Sequence, residues 1–344
     1  MSHRRVHVVY EWGDDLRPHG SAYIRLLRPL SHPGVRDALD VTFGRYYDGQ
    51  AVDAVIVDRL WMPRDVTAVR AQELVDATRR AGARLIYALD DDLLDPERID
   101  DAHRAVAECW LQEADGVIVT TDPLREGFAG LNPRTVVVPN ALDERLLPGV
   151  IRGQATGGRT VIGYMGTLTH DEDLLLIAPA LRKVCARHAG GIELQLVGVV
   201  GRRGTLGALE GLPVREVSPL PGEGEYPLFM VWLTHRLRWD IAMAPLADTP
   251  FNACKSDLKH LDYAAMGAAG VYSDVPAYTS VRHGETGWLA RNDTDSWVDA
   301  LETLIARPAL RQRLARAAAD YLYGERVLAR QDRAWLGALE ELLE

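Results

Sequence analysis

"VIGYMGTLTHDEDL", Val161–Leu174, decides how this chain is organised. An apolar run ends near Tyr164, Gly166 follows, and a helix-like pattern begins around Asp171. The run reads as a strand and the glycine as a tight turn with close backbone approach. Thr169 or Asp171 suits the cap of the next helix. A strand–glycine–helix join gathers free N–H groups and the positive end of a helix dipole, and so favours an anion. The ordinary alternative is a well-capped helix after a turn, and the segment alone leaves both open. Just before it, residues 140–159 carry Pro148, Gly149, Gly153, Gly157 and Gly158, which reads as a linker. So Val161 restarts a pattern.

The same pattern runs on both sides of that linker. Before it, Val- and Ile-rich runs predict strands at Val6–Tyr10, Leu39–Phe43, Ala54–Asp58, Arg84–Leu89, Gly116–Thr121 and Thr135–Pro139, with helices at Asp65–Ala81 and Ile99–Glu113. After it come "TVIGY", a helix over Asp171–His188, "ELQLVG", "VREV", a helix over Pro227–Leu237, "IAMAPL" and "GVYSD". The end is helical over Ser296–Ala306, Pro308–Tyr321 and Val327–Leu343. Strands alternating with helices predict an α/β protein with parallel sheets. Two tandem, doubly wound Rossmann-like domains are expected, over residues 1–145 and 146–325, with 326–344 as a helix crossing back to the first. The length, 344 residues, agrees with two domains. Ligands of such sheets lie at the carboxyl ends of the strands, and a cleft between the domains is the expected site.

Composition narrows the function. A net charge of −10 lacks the basic face of a nucleic-acid binder. Cys109, Cys185 and Cys254 are odd in number and scattered, which fits neither a disulfide framework nor a metal knuckle. A reducing, cytoplasmic setting is expected. The N-terminal apolar run is too short for a signal peptide, and no run approaches the roughly 18 apolar residues of a membrane span. "GVVGRRG" spaces Gly198, Gly201 and Gly204 by threes, unlike the dinucleotide fingerprint.

Cations are the sharper signal. Only Lys183, Lys255 and Lys259 are lysines, and two of them fall in "PFNACKSDLKHLDYAAMG", Pro250–Gly267. On a helix starting near Lys255, Lys255, Lys259 and Asp262 share a side at spacings of four and three. A solvated lysine–aspartate face is one reading. The other is a diphosphate site, since a compact ammonium suits a phosphate approached end-on. Two acidic strand ends stand in the first domain. One is "YALDDDLLD", with Asp90, Asp91 and Asp92. The other is "EWGDDLRPHGSAYIRLL", with Glu11, Gly13, His19 and Tyr23. Helix capping is the ordinary account of the aspartates.

Several stretches resemble a known family. "IGYMGTLTHDEDL", "APLADTPFNACKSDLKHLDYAAMGAAGVYSDVPAY" and "HGETGWLARNDTDSWVDAL" resemble the carboxyl domain of GT-B-fold glycosyltransferases of the retaining, family 4-like type. "ADGVIVTTDPLREGF" with "VVVPNALD" resembles the end of that family's amino domain. The resemblance implies a metal-independent, cofactor-free enzyme. It would move a sugar from a nucleotide diphosphate donor to a hydroxyl or amine of an acceptor, small or saccharide; the acidic strand ends themselves, with Asp14 and Asp15, favour a polar, cationic one. It places the donor on the second domain and the acceptor on the first. In the family's pair of acids eight residues apart, Asp262 matches the second, which relatives use for the donor ribose, and Cys254 stands where the first would be. Donor-side candidates are then Gly13, Gly166, Thr167, Lys255, Ser256, Lys259 and Asp262, with Arg202 and Arg203 as further phosphate candidates. Catalytic candidates are Asp90, Asp91 and His19, and acceptor-side candidates are Glu11, Tyr23 and Asp92. The family's first-domain histidine has no counterpart near Asp90. Rival readings are a nucleotide-sugar epimerase and a degenerate, non-catalytic partner subunit.

Overall fold

The computed structural model describes residues 3–148, 158–166, 171–198 and 207–344. Thr167, Thr169, Gly201, Arg202, Arg203 and Gly204 lie outside them, as does most of the glycine-rich linker. Contacts divide the chain into two units. Unit 1 comprises Met1–Asp143, Cys254–Ser256 and Val327–Glu344; unit 2 comprises Glu144–Ala253 and Asp257–Arg326.

Unit 1 holds a parallel sheet of β1 (Arg4–Val9), β2 (Leu39–Gly44), β3 (Ala54–Asp58), β4 (Arg84–Ala88), β5 (Gly116–Val119) and β6 (Thr135–Val137), in the order β2-β1-β3-β4-β5-β6. β3 and β5 are buried along their whole length, as the continuous apolar runs require of strands covered on both faces. One face packs on the helices Ala68–Arg80 and Asp101–Glu113, through Leu74, Val106 and Trp110. Thr67 and Asp100 cap these helices by accepting from the N–H groups of Arg70 and His103. The other face packs on the final helix, Leu328–Leu343, through Trp335, Leu339 and Leu342. That helix lies so close at β5 that a Cβ on Gly116 would come within 2.5 Å of Leu342.

Unit 2 repeats the plan with β7 (Thr160–Met165), β8 (Ile192–Val197), β9 (Val214–Glu216), β10 (Ile241–Ala244), β11 (Ala269–Ser273) and β12 (Trp288–Ala290). All pairs are parallel, in the order β12-β11-β10-β7-β8-β9. The helices Asp171–Arg187 and Thr294–Ala306 cover one face with Leu174, Leu181, Trp297 and Leu301. On the other face the indole of Trp239 lies against β7 where Gly163 leaves room; a Cβ there would sit 1.9 Å from the ring.

The strand orders locate the ligand positions. In unit 1 the order reverses between β1 and β3, and in unit 2 between β7 and β10. A crevice opens outside the carboxyl ends of the strands at such a reversal. β1 and β3 deliver Glu11 and Arg59 there, and β7 and β10 deliver Gly166 and the turn after Ala244.

Two local features bear on the site. Residues 20–30 are helical with a π turn at Tyr23–Leu27. The helix expected from Lys255 instead runs Leu258–Met266, with Pro250–Ala253 a separate turn. Asp257 at its N-cap makes no capping bond, because its carboxylate accepts two hydrogen bonds from Arg326 at 2.8 Å and one from Ser280 at 2.5 Å.

Candidate active site

In unit 2, Gly166 ends β7 and its N–H donates to the carbonyl of Val197. A Cβ on Gly198, at φ +76°, would come within 2.3 Å of the Gly166 carbonyl oxygen. Neither position has room for a side chain, so backbone lines the ends of β7 and β8. The turn after β10 is pinned by side chains. Asp173 accepts from the N–H of Ala247 at 2.8 Å, Ser273 accepts from Leu246 N–H at 2.9 Å, and Asn292 donates to the Leu246 carbonyl at 2.9 Å.

The helix Leu258–Met266 docks beside these ends. Tyr263 donates its hydroxyl hydrogen to the Met243 carbonyl at 2.8 Å, and the Lys259 ammonium lies 4.9 Å from the centre of the Tyr164 ring. Asp262 is 5% exposed and has no hydrogen-bond partner among the described residues. Burial pushes its carboxyl up to about 7, with Lys259 pulling the other way. A buried carboxylate with no hydrogen-bond donor among the described residues is costly. A hollow of about 580 Å³ among Gln195, Arg215, Leu220, Trp232 and Arg238 includes Val161 near the amino end of β7, and so lies apart from Gly166.

In unit 1 the strand ends assemble a charge cluster. Arg59 follows β3 in a left-handed conformation, φ 45°, and so does Trp61, φ 61°. Such backbone costs about 1–3 kcal/mol per residue and persists where surroundings enforce it. Here the enforcement is electrostatic: the Arg59 guanidinium donates to Glu11 Oε2 at 2.9 Å, to Asp90, and to Asp91 Oδ2 at 3.0 Å. Lys255, within the same unit, donates to Asp91 Oδ1 at 3.2 Å. Burial raises the Asp91 carboxyl, but Arg59 and Lys255 outweigh it and leave the pKa below the usual carboxylate value. Beneath them Asp58, fully buried, accepts the Glu11 N–H at 3.0 Å. Burial first, then Glu11, push Asp58 up to about 8, so it carries a proton at neutral pH.

The other first-domain candidates stand nearby or are otherwise engaged. His19 is 43% exposed along its side chain, with Nδ1 3.5 Å from Glu11 Oε1. Gly13 anchors that loop by donating to the Arg17 carbonyl at 2.9 Å. Tyr23 opens the π turn and is half-buried. Asp92 accepts from Leu94 N–H at 3.0 Å, and burial raises its carboxyl. Ser256 accepts from Asn140 Nδ2 at 2.8 Å, and Cys254 gives its carbonyl to Thr121. The two lysines therefore do not share a helix side: Lys255 precedes the helix and belongs to unit 1, while Lys259 lies on Tyr164 in unit 2. Among the described residues no group of three or more His, Cys, Asp or Glu is arranged to hold a metal ion.

Sequence reasoning missed Arg59, Asp58 and Arg25. Arg59 was readable as the residue that leaves the run "AVIVD" at its carboxyl end. Arg25 is buried in the π turn, donating to the Val138 carbonyl at 2.8 Å and to Asn140 at 3.0 Å. Burial lowers its pKa to about 10.

No protein-family model matches the sequence, and neither does any curated protein. Solved structures do match. HepE from Anabaena, solved with UDP-glucose, aligns with a TM-score of 0.67 at 14% identity over 98% of this chain and 100% of that one. Sucrose-phosphate synthase from Thermosynechococcus elongatus aligns with a TM-score of 0.68 at 12% identity over 98% and 99%. A UDP-forming trehalose-phosphate synthase from Burkholderia xenovorans aligns with a TM-score of 0.60 at 15% identity over 86% and 75%. The fold is the GT-B fold. Both expectations about architecture, the two parallel α/β sheets and the likeness to GT-B glycosyltransferases, hold at this level.

Proposed function

We propose that this chain is a glycosyltransferase that takes a sugar from a uridine diphosphate sugar and passes it to a hydroxyl or amine of a polar acceptor, with retention of configuration. The observation that carries the reading is Asp262. It is a buried carboxylate without a hydrogen-bond partner among the described residues, and its sequence position matches the ribose-binding acid of the resembled family. A pair of ribose hydroxyls is the kind of donor such a group lacks. The fold shared with HepE, which was solved with UDP and with UDP-glucose, supports the choice of nucleotide.

The leaving diphosphate gathers charge as the glycosidic bond breaks, and fixed positive groups stabilise it most where water is excluded. In this reading Lys259 and the Gly166 backbone of unit 2 serve that purpose, with Lys255, Ser256 and Thr167 kept as donor-side candidates from the sequence, and no metal ion takes part. Asp91 is held ionised by Arg59 and Lys255, so it is available as the proton acceptor for the incoming hydroxyl. Asp90 and His19 complete the catalytic set, Glu11, Tyr23 and Asp92 line the acceptor side, and Gly13 keeps the first loop close to the donor sugar. No helix of the described residues is long and apolar enough to cross a membrane. The cytoplasm is the proposed compartment.

Calorimetry with UDP, GDP, ADP and dTDP tests the reading directly. UDP is expected to bind, and at about 100 times its dissociation constant to stabilise the protein by about 2.7 kcal/mol. Release of UDP from UDP-glucose should be unaffected by a chelator. Failure of every nucleoside diphosphate to bind refutes the proposal.

A further inference from the structure

Aromatic side chains crowd the three loops that leave β1, β2 and β3 of unit 1. Trp12 follows β1, Tyr46 follows β2 and Trp61 follows β3. The Tyr46 ring meets Trp12 at 6.1 Å and 66° and Trp61 at 6.0 Å and 79°. Both indoles are steeply inclined to it, so neither lies flat on the Tyr46 face, and Tyr46 is 47% exposed. Leu16, at the tip of the first loop with φ 63°, is 52% exposed.

This group is held in place. The Trp61 indole N–H donates to the Arg45 carbonyl at 2.5 Å, and the Trp12 backbone N–H donates to the Trp61 carbonyl at 3.1 Å. The Arg45 guanidinium lies 5.5 Å from the centre of the Trp12 ring. Trp61 has a left-handed backbone, and its buried ring packs on Trp110 at 6.5 Å, which anchors the group to the core. A half-exposed tyrosine braced by two indoles, on strained backbone, is a poor use of apolar surface unless something covers it.

Its neighbours say what kind of molecule does. Trp12 adjoins Glu11 in sequence and Trp61 lies two residues beyond Arg59, so the aromatic group is continuous with the charge cluster at the β1–β3 reversal. Glu11, Asp90 and Asp91 are already paired with Arg59 and Lys255, so a cationic guest is not needed to balance them. An open aromatic face beside hydroxyl-binding groups suits an amphipathic ring. Its C–H face lies on the negative π-face and its hydroxyls reach polar partners.

We propose that Tyr46, braced by Trp12 and Trp61 and rimmed by Leu16, is a stacking platform for one ring of a neutral saccharide or cyclitol acceptor. The proposal rests on the glycosyl-transfer reading and narrows its acceptor class. Glu11 and His19, on either side of the Trp12–Leu16 loop, are the candidates for the ring's hydroxyls, with Asp92 of the acceptor-side set.

The test is saturation-transfer NMR on the full chain with saturating UDP. The probes are methyl α-D-glucopyranoside, myo-inositol, glucosamine and glycerol, on wild type, Tyr46→Ala and Tyr46→Phe. A neutral ring probe is expected to receive saturation at the C–H protons of one face. Tyr46→Ala should weaken its binding about fivefold to tenfold, and Tyr46→Phe should retain it. Calorimetric UDP affinity should be equal in all three proteins. The platform is overturned if Tyr46→Ala binds the ring probes as well as wild type does, if only glucosamine binds, or if glycerol does as well as the rings. Absence of any probe signal alongside normal UDP binding also overturns it and leaves the transfer reading standing. Absence of UDP binding removes both.

Discussion

Replacing Asp262 by asparagine should stabilise the ligand-free protein at pH 8 while weakening its hold on a ribonucleotide. Burial raises the carboxyl from 3.8 to about 7. The folded chain therefore keeps a proton that the unfolded chain releases. The stability linked to that proton is fully present below about pH 3.8 and is lost as pH rises through about 7. Each pKa unit is about 1.36 kcal/mol, so the difference has a ceiling of about 4 kcal/mol above pH 7. Local relaxation and the nearby Lys259 ammonium reduce what is realised, but even about 1 kcal/mol would move the melting temperature by roughly 2–4 °C in a unit of this size. Urea unfolding of wild type and Asp262→Asn, run at pH 4, 5, 6, 7 and 8, reads the effect as a gap that widens to pH 7 and then levels. Calorimetry with UDP and its 2′,3′-dideoxy analogue reads the cost: about tenfold for UDP and little for the analogue, since hydrogen bonds to a charged group contribute about 1.5–3 kcal/mol. A gap that does not change with pH, or equal losses for the two nucleotides, refutes the reasoning.

Three further substitutions probe the same ends of the sheets. Lys255→Ala should weaken UDP binding by about 1.5–3 kcal/mol, and unaltered calorimetric affinity would remove Lys255 from the donor site. Arg59→Met should lower the free energy of unfolding by roughly 3–5 kcal/mol, because it takes the shared cation from Glu11 and Asp90 and leaves Asp91 with Lys255 alone, and a loss below about 1 kcal/mol in urea would contradict the cluster. Asp257→Asn should destabilise at pH 7. Burial opposes the charged form of Asp257, but Arg326 and Ser280 hold its pKa below 3.8, so its stabilising effect is present above that value and lost as pH falls through the lowered one. The wild-type advantage should thus shrink in acid, and a gap independent of pH would show that the ion pair is not its source.

What could be read from the sequence was what local pattern determines. "AVIVD" and "GVIVTT" are continuous apolar runs between turn signals, and both are central buried strands. Gly267 stops its helix with φ 73°, as a glycine after an apolar stripe should. What escaped depends on partners far along the chain. Asp257 looks like a first-turn helix residue until Arg326, 69 positions away, takes its carboxylate and the helix begins one residue later. Arg25 looks like a surface cation in "AYIRLLRPL" until the Val138 carbonyl and Asn140, more than 110 residues on, provide acceptors for it inside. Lys255 and Lys259 look like one pair because spacing is all that sequence supplies; their partners, Asp91 and Tyr164, belong to different units.

The two strand reversals handle buried charge in opposite ways, and this bears on how labour is divided. At β1–β3 the acids have their own cation: Arg59 spans Glu11, Asp90 and Asp91, Lys255 adds a second charge, and Asp58 avoids the conflict by keeping a proton. Such a site is preorganised before any substrate arrives, and a ligand adds to it mainly through shape and hydrogen bonds. At β7–β10 the arrangement is incomplete. Asp262 has no hydrogen-bond partner among the described residues, the Lys259 ammonium lies over the Tyr164 ring, and Gly166 and Gly198 have no room for a side chain. An unfinished set of polar groups lowers the stability of the free protein, and that loss is recovered when a ligand supplies the missing partners. Unit 2 is therefore the part whose stability should respond most to nucleotide, and unit 1 the part whose geometry should change least. Hydrogen exchange with and without UDP distinguishes them: protection should rise in Leu258–Met266 and change little in β3 and β4.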